Sequence, residues 1–365
     1  MNNQAPELKN LVSPDQPIAQ GYMRRVVLTG PHGLAFQDVP IPAPGVNQVL
    51  VNVRACALCT WEQRTYTGEE KFVPLLGGHE MSGIVVAVGK GVLLDVKEGD
   101  QVSIAGLNRC GQCESCRRGY DNICDNARKM NKNPGDIYGP GGLGQYVLAS
   151  AEDLFVFRPA VPFEHAALTE PLACVLRSVK RAAIQQAEKV VIIGGGIMGL
   201  LHLQLVKDFH GVVIVSEPVE GRRQKAMELG ATYAIDPLKE DYVARVKELT
   251  GGRGADVTFV CVSQAPVIEP AINAAAKNGR VSMYSSIHPR GTKFEVDPNI
   301  FHNNEVVLTG TMSQTRQDFF ESAELIGKGL IDLQPLISAM YPLADVHQAF
   351  EAALRLDTYR IVVNP

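Results

Sequence analysis

Residues Val190–Arg223 read VVIIGGGIMGLLHLQLVKDFHGVVIVSEPVEGRR. The stretch opens on four apolar, β-branched residues, Val190 to Ile193, of strand length and character. Gly194, Gly196 and Gly199 follow in G-x-G-x-x-G spacing, and Ile197 to Phe209 has the length and apolar content of a helix. A second β-branched run, Val212 to Val215, leads to Glu217, 21 residues beyond Gly196. The first glycine permits a tight turn, the second lets a pyrophosphate approach the backbone, and the third lets helix and strand pack closely. The helix start, with Ile197 and Met198 behind Gly196, offers unpaired N–H groups and a positive dipole end to phosphate. Glu217 stands where an acid accepts hydrogen bonds from a ribose diol. A strand, a glycine turn, a helix and a second strand with a terminal acid together turn a weak motif into a dinucleotide site. The acid favours NAD, because a carboxylate repels the 2′-phosphate of NADP. Arg222 and Arg223 keep NADP open.

Working outward, strand candidates at Thr232–Ile235, Val257–Cys261, Val281–Tyr284 and Val306–Leu308 alternate with helical stretches. Six strands with intervening helices make a doubly wound parallel sheet in an α/β fold, over residues 173–311. Before it, residues 21–172 are mostly short strands: Arg25–Leu28, Val49–Ala55, Gly83–Val88, Gln101–Ile104 and Tyr146–Leu148. Turn clusters such as PAPG, VGKG and GPGG separate them, the pattern of a β-rich, partly open barrel. Residues 312–365 carry helical runs near Phe319–Ile326 and Val346–Leu354 and a last strand at Arg360–Val363. They return to the β-rich domain. Residues 1–20 are polar and proline-bearing and read as a loose extension.

Composition narrows the function. Lys plus Arg is 35 and Asp plus Glu 39, a net charge of −4, which gives no footprint for nucleic acid or an anionic membrane. No apolar run reaches the length of a membrane span, and the N-terminus lacks the basic start and apolar core of a secretory signal. The cytoplasm is the expected location. Six of the eight cysteines fall in two tight clusters, which without a signal peptide points to metal rather than disulfides.

Arg109–Asp125 reads RCGQCESCRRGYDNICD, placing Cys110, Cys113, Cys116 and Cys124 in C-x₂-C-x₂-C-x₇-C spacing. Four thiolates on a short loop close a tetrahedral shell around one zinc ion, leaving no open position for catalysis. An iron–sulfur cluster is the rival, but its bacterial run ends C-x₃-C-P, which is absent. A catalytic zinc instead needs about three protein ligands and an open position. Cys59, in ACALCTWEQRTYT, and His79, in LGGHEMSG, are the best pair, with Glu80 adjacent and Glu170, in LTEPLAC, as a carboxylate candidate. Cys56 reads as a small buried residue, and Cys174, one helical turn beyond Glu170, as a rival ligand.

Taken together, the C-x-x-C stretch, GHEMSG, KEGDQV, the four-cysteine lobe, TEPLAC, the glycine fingerprint and GGRGADVTFVC resemble the zinc-dependent medium-chain dehydrogenases, the alcohol, sorbitol and threonine dehydrogenases among them. The resemblance runs from about Tyr22 to the C-terminus. It implies a GroES-like catalytic domain, completed by the C-terminal segment, and a Rossmann coenzyme domain. It implies two zinc ions per chain, NAD, and a dimer or tetramer of identical chains. It assigns Cys59, His79 and Glu170 as catalytic zinc ligands, with Glu80 ligating or lying just behind, and Glu62 as the acid that orients His79. An acid at position 170 is the habit of the polyol and threonine branch. Where relatives carry a relay hydroxyl this chain has Trp61, with Arg64 near the place of the relay histidine, so Thr60, Glu80 or water takes over. Trp61 also stands where an aromatic face packs against a sugar or cyclitol ring.

The implied chemistry is hydride transfer between a secondary alcohol of a polyol, sugar or cyclitol and NAD, with zinc as Lewis acid. A threonine 3-dehydrogenase or general secondary-alcohol dehydrogenase is the alternative. A zinc- and dinucleotide-binding protein without catalysis is the remote one, favoured only by the altered relay.

Overall fold

The computed structural model describes residues 8–130, 137–209 and 211–365. Internal contacts divide the chain into two units: one takes it up to Pro171 and again over Thr315–Pro365, the other is Leu172–Gln314.

The first unit is built on strand Gln48–Ala57. It pairs antiparallel with Glu80–Val88, with Tyr146–Ser150 and with Arg360–Asn364. The sheet runs in the order Ile337–Pro342, Arg360–Asn364, Gln48–Ala57, Glu80–Val88, Gln101–Ala105, Leu154–Val156. The register sets both Glu80 and Val362 opposite Ala57. Arg360, two residues before Val362, therefore shares a sheet face with it. Val49, Val51, Val53, Val85, Val102, Ile104, Ile361 and Val363 belong to the core. Helix Val346–Ala353 seals that core because Val346, Ala349, Phe350 and Ala353 recur at helical spacing and are all buried.

A three-stranded sheet, Leu11–Val12, Gly33–Pro40 and Tyr22–Gly30, stands beside it in sequence. Here the reading of residues 1–20 as a loose extension is corrected for residues 8–20, while residues 1–7 lie outside the described residues. Leu11 and Val12 pair with Gln37 and Phe36, and the Arg24 guanidinium donates to the Gln16 carbonyl at 2.7 Å. Two strand pairings and a buried arginine order a segment whose composition alone reads as a tail.

The second unit is a six-stranded parallel sheet in the order Tyr233–Ile235, Val213–Ser216, Val190–Ile193, Ala255–Val260, Ala275–Met283, Val307–Gly310. The chain starts in the middle, goes to one edge, then crosses to the other. The doubly wound arrangement puts the first βα turn at the point where strand order reverses, the place where such sheets bind ligands. Val190–Ile193 is buried along its whole length, as an inner parallel strand must be. Helix Ile197–Val206 follows and tightens into a 3₁₀ turn over Lys207–Phe209, so it ends one turn before its apolar pattern does.

Candidate active site

Cys59 lies just beyond the central strand, at the N-terminal boundary of helix Thr60–Thr67, with extended backbone (φ −72°, ψ 156°). That helix turns Glu62 inward. The Glu62 carboxylate is fully buried, and its Oε1 accepts the Gly78 N–H at 2.9 Å and lies 2.7 Å from His79 Nδ1. A carboxylate can only accept here, so Nδ1 carries a proton and Nε2 is the nitrogen left to face a metal. Gly78 makes this approach feasible. Its φ is +94°, and an added Cβ would stand 2.5 Å from Leu143 N and 2.7 Å from Cys56 Sγ. Cys56 is thereby a core residue, as its neighbours dictate.

Glu80 begins the next strand and is fully buried. Its Oε1 accepts Arg360 Nη2 at 2.8 Å, while Arg360 Nη1 donates to the Leu58 carbonyl at 3.0 Å. Glu170 is the second residue of helix Thr169–Ala182 and is buried. Pro171 is tolerated beside it because a first-turn residue needs no N–H partner. Ligand atoms of Cys59, Glu62 and His79 lie within 4.8 Å of one another, and so do those of His79, Glu80 and Glu170. His79 is common to both groups. With Glu62 engaged by Nδ1, the set left to hold a metal is Cys59, His79, Glu80 and Glu170.

The electrostatics fit a cation. Burial raises the Cys59 thiol, and burial pushes the Glu80 carboxyl up to about 7, with Arg360 pulling it down and Glu170 pushing it up. Burial works against a charged His79, but the Glu62 carboxylate and Cys59 outweigh it and raise its pKa. A thiol and three carboxyls gather around His79 and Arg360, and two carboxylate oxygens, Glu62 Oε2 and Glu80 Oε2, are buried without a hydrogen-bond partner among the described residues. A divalent cation offsets that excess and supplies the missing partner.

Thr60 is exposed at the helix start, beside Cys59. The Trp61 ring is half-buried and meets the His79 ring edge-on, 5.8 Å between centroids. Arg64 pairs with Glu69 at 3.6 Å. The Cys174 thiol donates to Gln314 Oε1 at 3.4 Å and belongs to no metal-competent group among the described residues, which removes it as a rival ligand.

Cys110, Cys113, Cys116 and Cys124 converge with all sulfurs within 4.8 Å and no disulfide. Their sulfurs accept backbone N–H groups: Cys110 from Gln112 at 3.4 Å and Cys113 at 3.3 Å, Cys113 from Cys116 at 3.4 Å, Cys124 from Cys110 at 3.4 Å. Such donors favour thiolates, the form that binds zinc. The side chain of Arg109, just before the first cysteine, is wholly buried and pairs with Asp121 at 3.4 Å and Asp153 at 3.7 Å; Arg316 pairs with Asp153 at 3.1 Å. This cluster ties the lobe to the sheet.

In the second unit, Gly199 packs so closely that an added Cβ would stand 1.8 Å from the Gly194 carbonyl oxygen. Gly196 bounds helix Ile197–Val206 and has open space beside it, a cradle that suits a pyrophosphate. Glu217 is buried at the end of the second strand, and Arg222 approaches Gly196.

Arg360 and Arg109 escape a reading of spacing. The available signal is an arginine inside the β-branched run of Arg360–Val363, since an arginine is seldom fully buried unless paired.

Residues 45–159 match the alcohol dehydrogenase GroES-like domain and residues 198–328 match the zinc-binding dehydrogenase family. The 2-dehydro-3-deoxy-L-galactonate 5-dehydrogenase of Pseudoalteromonas atlantica is 34% identical over 311 residues, covering 84% of this chain and 88% of that protein. The sorbitol dehydrogenase of Halalkalibacterium halodurans is 31% identical over 349 residues, covering 94% and 99%. Among solved structures, a candidate zinc-binding dehydrogenase from Sinorhizobium meliloti bound to NADP superposes with a TM-score of 0.87 at 29% identity, covering 95% of this chain and 100% of that one. The chain belongs to the zinc-dependent medium-chain dehydrogenase family. It is an oxidoreductase acting on CH–OH groups of small-molecule alcohols, with zinc and a nicotinamide dinucleotide.

Proposed function

We propose that the protein transfers a hydride between a secondary alcohol of a polyol, sugar or cyclitol and NAD. In this reading Cys59, His79, Glu80 and Glu170 hold a catalytic zinc, and Cys110, Cys113, Cys116 and Cys124 hold a structural one. The observation that carries it is the convergence of two buried carboxylates, Glu80 and Glu170, on His79. Carboxylate oxygens beside a bound alcohol accept hydrogen bonds from its neighbouring hydroxyls, which a simple alcohol does not offer. The names of the sugar-acid and sorbitol dehydrogenases support the same substrate class.

When bound, zinc supplies Lewis acidity and the dinucleotide a hydride acceptor. The chain's own residues do the rest. Glu62 holds the Nδ1 proton of His79 and so fixes which nitrogen is free to ligate. Arg360 compensates Glu80, so the carboxylate stays buried beside the metal position. Trp61 forms an apolar wall against which a ring substrate packs. Thr60, exposed at the helix start, is the hydroxyl nearest in sequence to Cys59 and passes the substrate proton outward. Glu217 prefers NAD. Two copies join through the edge strand Val307–Gly310, where Val307 and Met312 are exposed.

The test is the initial rate with linear polyols, inositols, aldoses, threonine and short alcohols, each with NAD and with NADP, for the parent and Glu170→Ala. Polyol or cyclitol turnover with NAD, lost in the variant, is the expected result. Preference for threonine overturns the substrate class, and turnover that survives Glu170→Ala overturns the role of Glu170.

A further inference from the structure

The carboxylate of Glu217 is already occupied. The residue is 4% exposed. Its Oε2 accepts the Gly195 N–H at 2.7 Å and its Oε1 accepts the Val219 N–H at 2.9 Å. Its stem fills the space beside the turn: a Cβ added at Gly195 would stand 2.9 Å from Glu217 Cγ. Gly195 is the residue between the first two glycines of the fingerprint, so the acid is bonded into the middle of the phosphate-facing turn. The neighbouring Gly196 is open. Among the described residues, only Arg222 Nη1 comes within 4 Å of its added Cβ, at 3.9 Å.

The two arginines after the acid differ. Arg223 Nη1 donates to the Glu217 carbonyl at 2.8 Å and to the Pro218 carbonyl at 2.7 Å, and Nη2 pairs with Asp236 at 3.1 Å. It is committed to the loop that carries Glu217. Arg222 is the one that lies over the turn.

We propose that Glu217 is a positioning residue for the glycine turn as well as a reader of the ribose, so that removing its carboxylate weakens NADH and NADPH together instead of exchanging one for the other. The ligand in this inference rests on the dehydrogenase reading above; the geometry does not. Removing the carboxylate leaves two N–H groups without their acceptor, one of them in the turn itself. The turn then loses the orientation that aims its amides at phosphate. Relief of the repulsion on a 2′-phosphate is offset by that loss. A 2′-phosphate is answered by Arg222, not Arg223.

The experiment is a titration of the zinc-loaded full chain with NADH and with NADPH, read by nicotinamide fluorescence, for the parent, Glu217→Ala, Glu217→Gln and Arg222→Ala. Hydrogen–deuterium exchange over residues 194–199 is measured on the same proteins without dinucleotide. Glu217→Ala should weaken both ligands, NADH about tenfold or more and NADPH by less, because relief of the repulsion offsets part of the common loss. Exchange in the turn should rise. Glu217→Gln keeps one acceptor oxygen and should recover part of both affinities and part of the protection. Arg222→Ala should weaken NADPH more than NADH. Loss of NADH binding with gain of NADPH binding and unchanged exchange in Glu217→Ala overturns the proposal. Equal effects on both ligands in Arg222→Ala overturn the assignment to Arg222. A parent that binds neither dinucleotide, with exchange still raised in Glu217→Ala, keeps the clamp and overturns the dehydrogenase reading.

Discussion

The two units satisfy their buried polar groups by different means. In the first, charge answers charge. Glu62 faces His79, Glu80 faces Arg360, and Arg109 and Arg316 share Asp153. The partners come from distant parts of the chain; Glu80 and Arg360 are 280 positions apart. In the second unit, beside ion pairs such as Arg223–Asp236, the backbone answers Glu217 and His202. Glu217 takes two backbone N–H groups, and His202 bonds the Met198 carbonyl at 2.8 Å, four positions back in its own helix. Burial holds the His202 imidazole down to about 4, and its ring packs between Phe259 and Tyr284. A charge-paired cluster responds to an added cation, but each member it loses strands another. A backbone-satisfied group is local, neutral or dipole-bound, and indifferent to metal.

Four changes put that contrast at risk, the most damaging first. His79→Ala removes the residue common to both metal-competent groups in the buried cluster. Turnover should fall about a thousandfold, the several kcal/mol expected of lost Lewis-acid stabilisation. Steady-state kinetics with metal analysis decides it, and a variant keeping a tenth of parental turnover would break the metal reading. Arg360→Met leaves the Glu80 carboxylate buried and unpaired. Its stability in urea should fall by about 3–5 kcal/mol, with part regained on adding Glu80→Gln. A loss under about 1 kcal/mol would mean that the pair is not what satisfies the site.

The third change tests the neutral side of the contrast. As pH falls through 6.5 the unfolded chain takes up a proton that buried His202 refuses until about 4. Between those values the unfolded state binds more protons, so stability falls with pH, by about 2 kcal/mol from pH 7 to pH 5. Below the folded value the loss stops growing. His202→Leu should flatten this slope; an unchanged slope would show that His202 is not its source. The smallest effect concerns the apolar side of the metal cluster. Trp61→Ala should raise KM for ring polyols about fivefold to tenfold relative to linear ones, an amount typical of one aromatic contact. Equal changes for both would rule out stacking.

What could be read from the sequence follows the same division. The glycine fingerprint and the four-cysteine lobe depend on neighbours within a few tens of residues, so spacing alone displays them. The parallel sheet follows, because its strands are β-branched runs separated by helices. The cross-chain partners do not show in this way. Nothing near Glu80 in the sequence points to Arg360; the sheet register brings them together. Strand Gly33–Pro40 is hidden because GLAFQDVP carries a charge and a proline in a short run. The difference between Arg222 and Arg223 is one of side-chain direction, which adjacent identical residues cannot express. The hydrogen bonds of Glu217 into the turn are likewise a matter of geometry, although its place at the strand end is plain from the spacing.

The Arg360–Glu80 pair also sets a clock on biosynthesis. At a translation rate of about 5–20 residues per second, Glu80 leaves the ribosome roughly fifteen seconds to a minute before the arginine that balances it. The whole of the Leu172–Gln314 unit is synthesised in that interval and can fold as a contiguous block. The nascent β-rich segment must wait with an unmatched carboxylate and a sheet that lacks strand Arg360–Asn364. During that wait its exposed strand edge is open to other chains, which makes this segment the expected client of any holding chaperone.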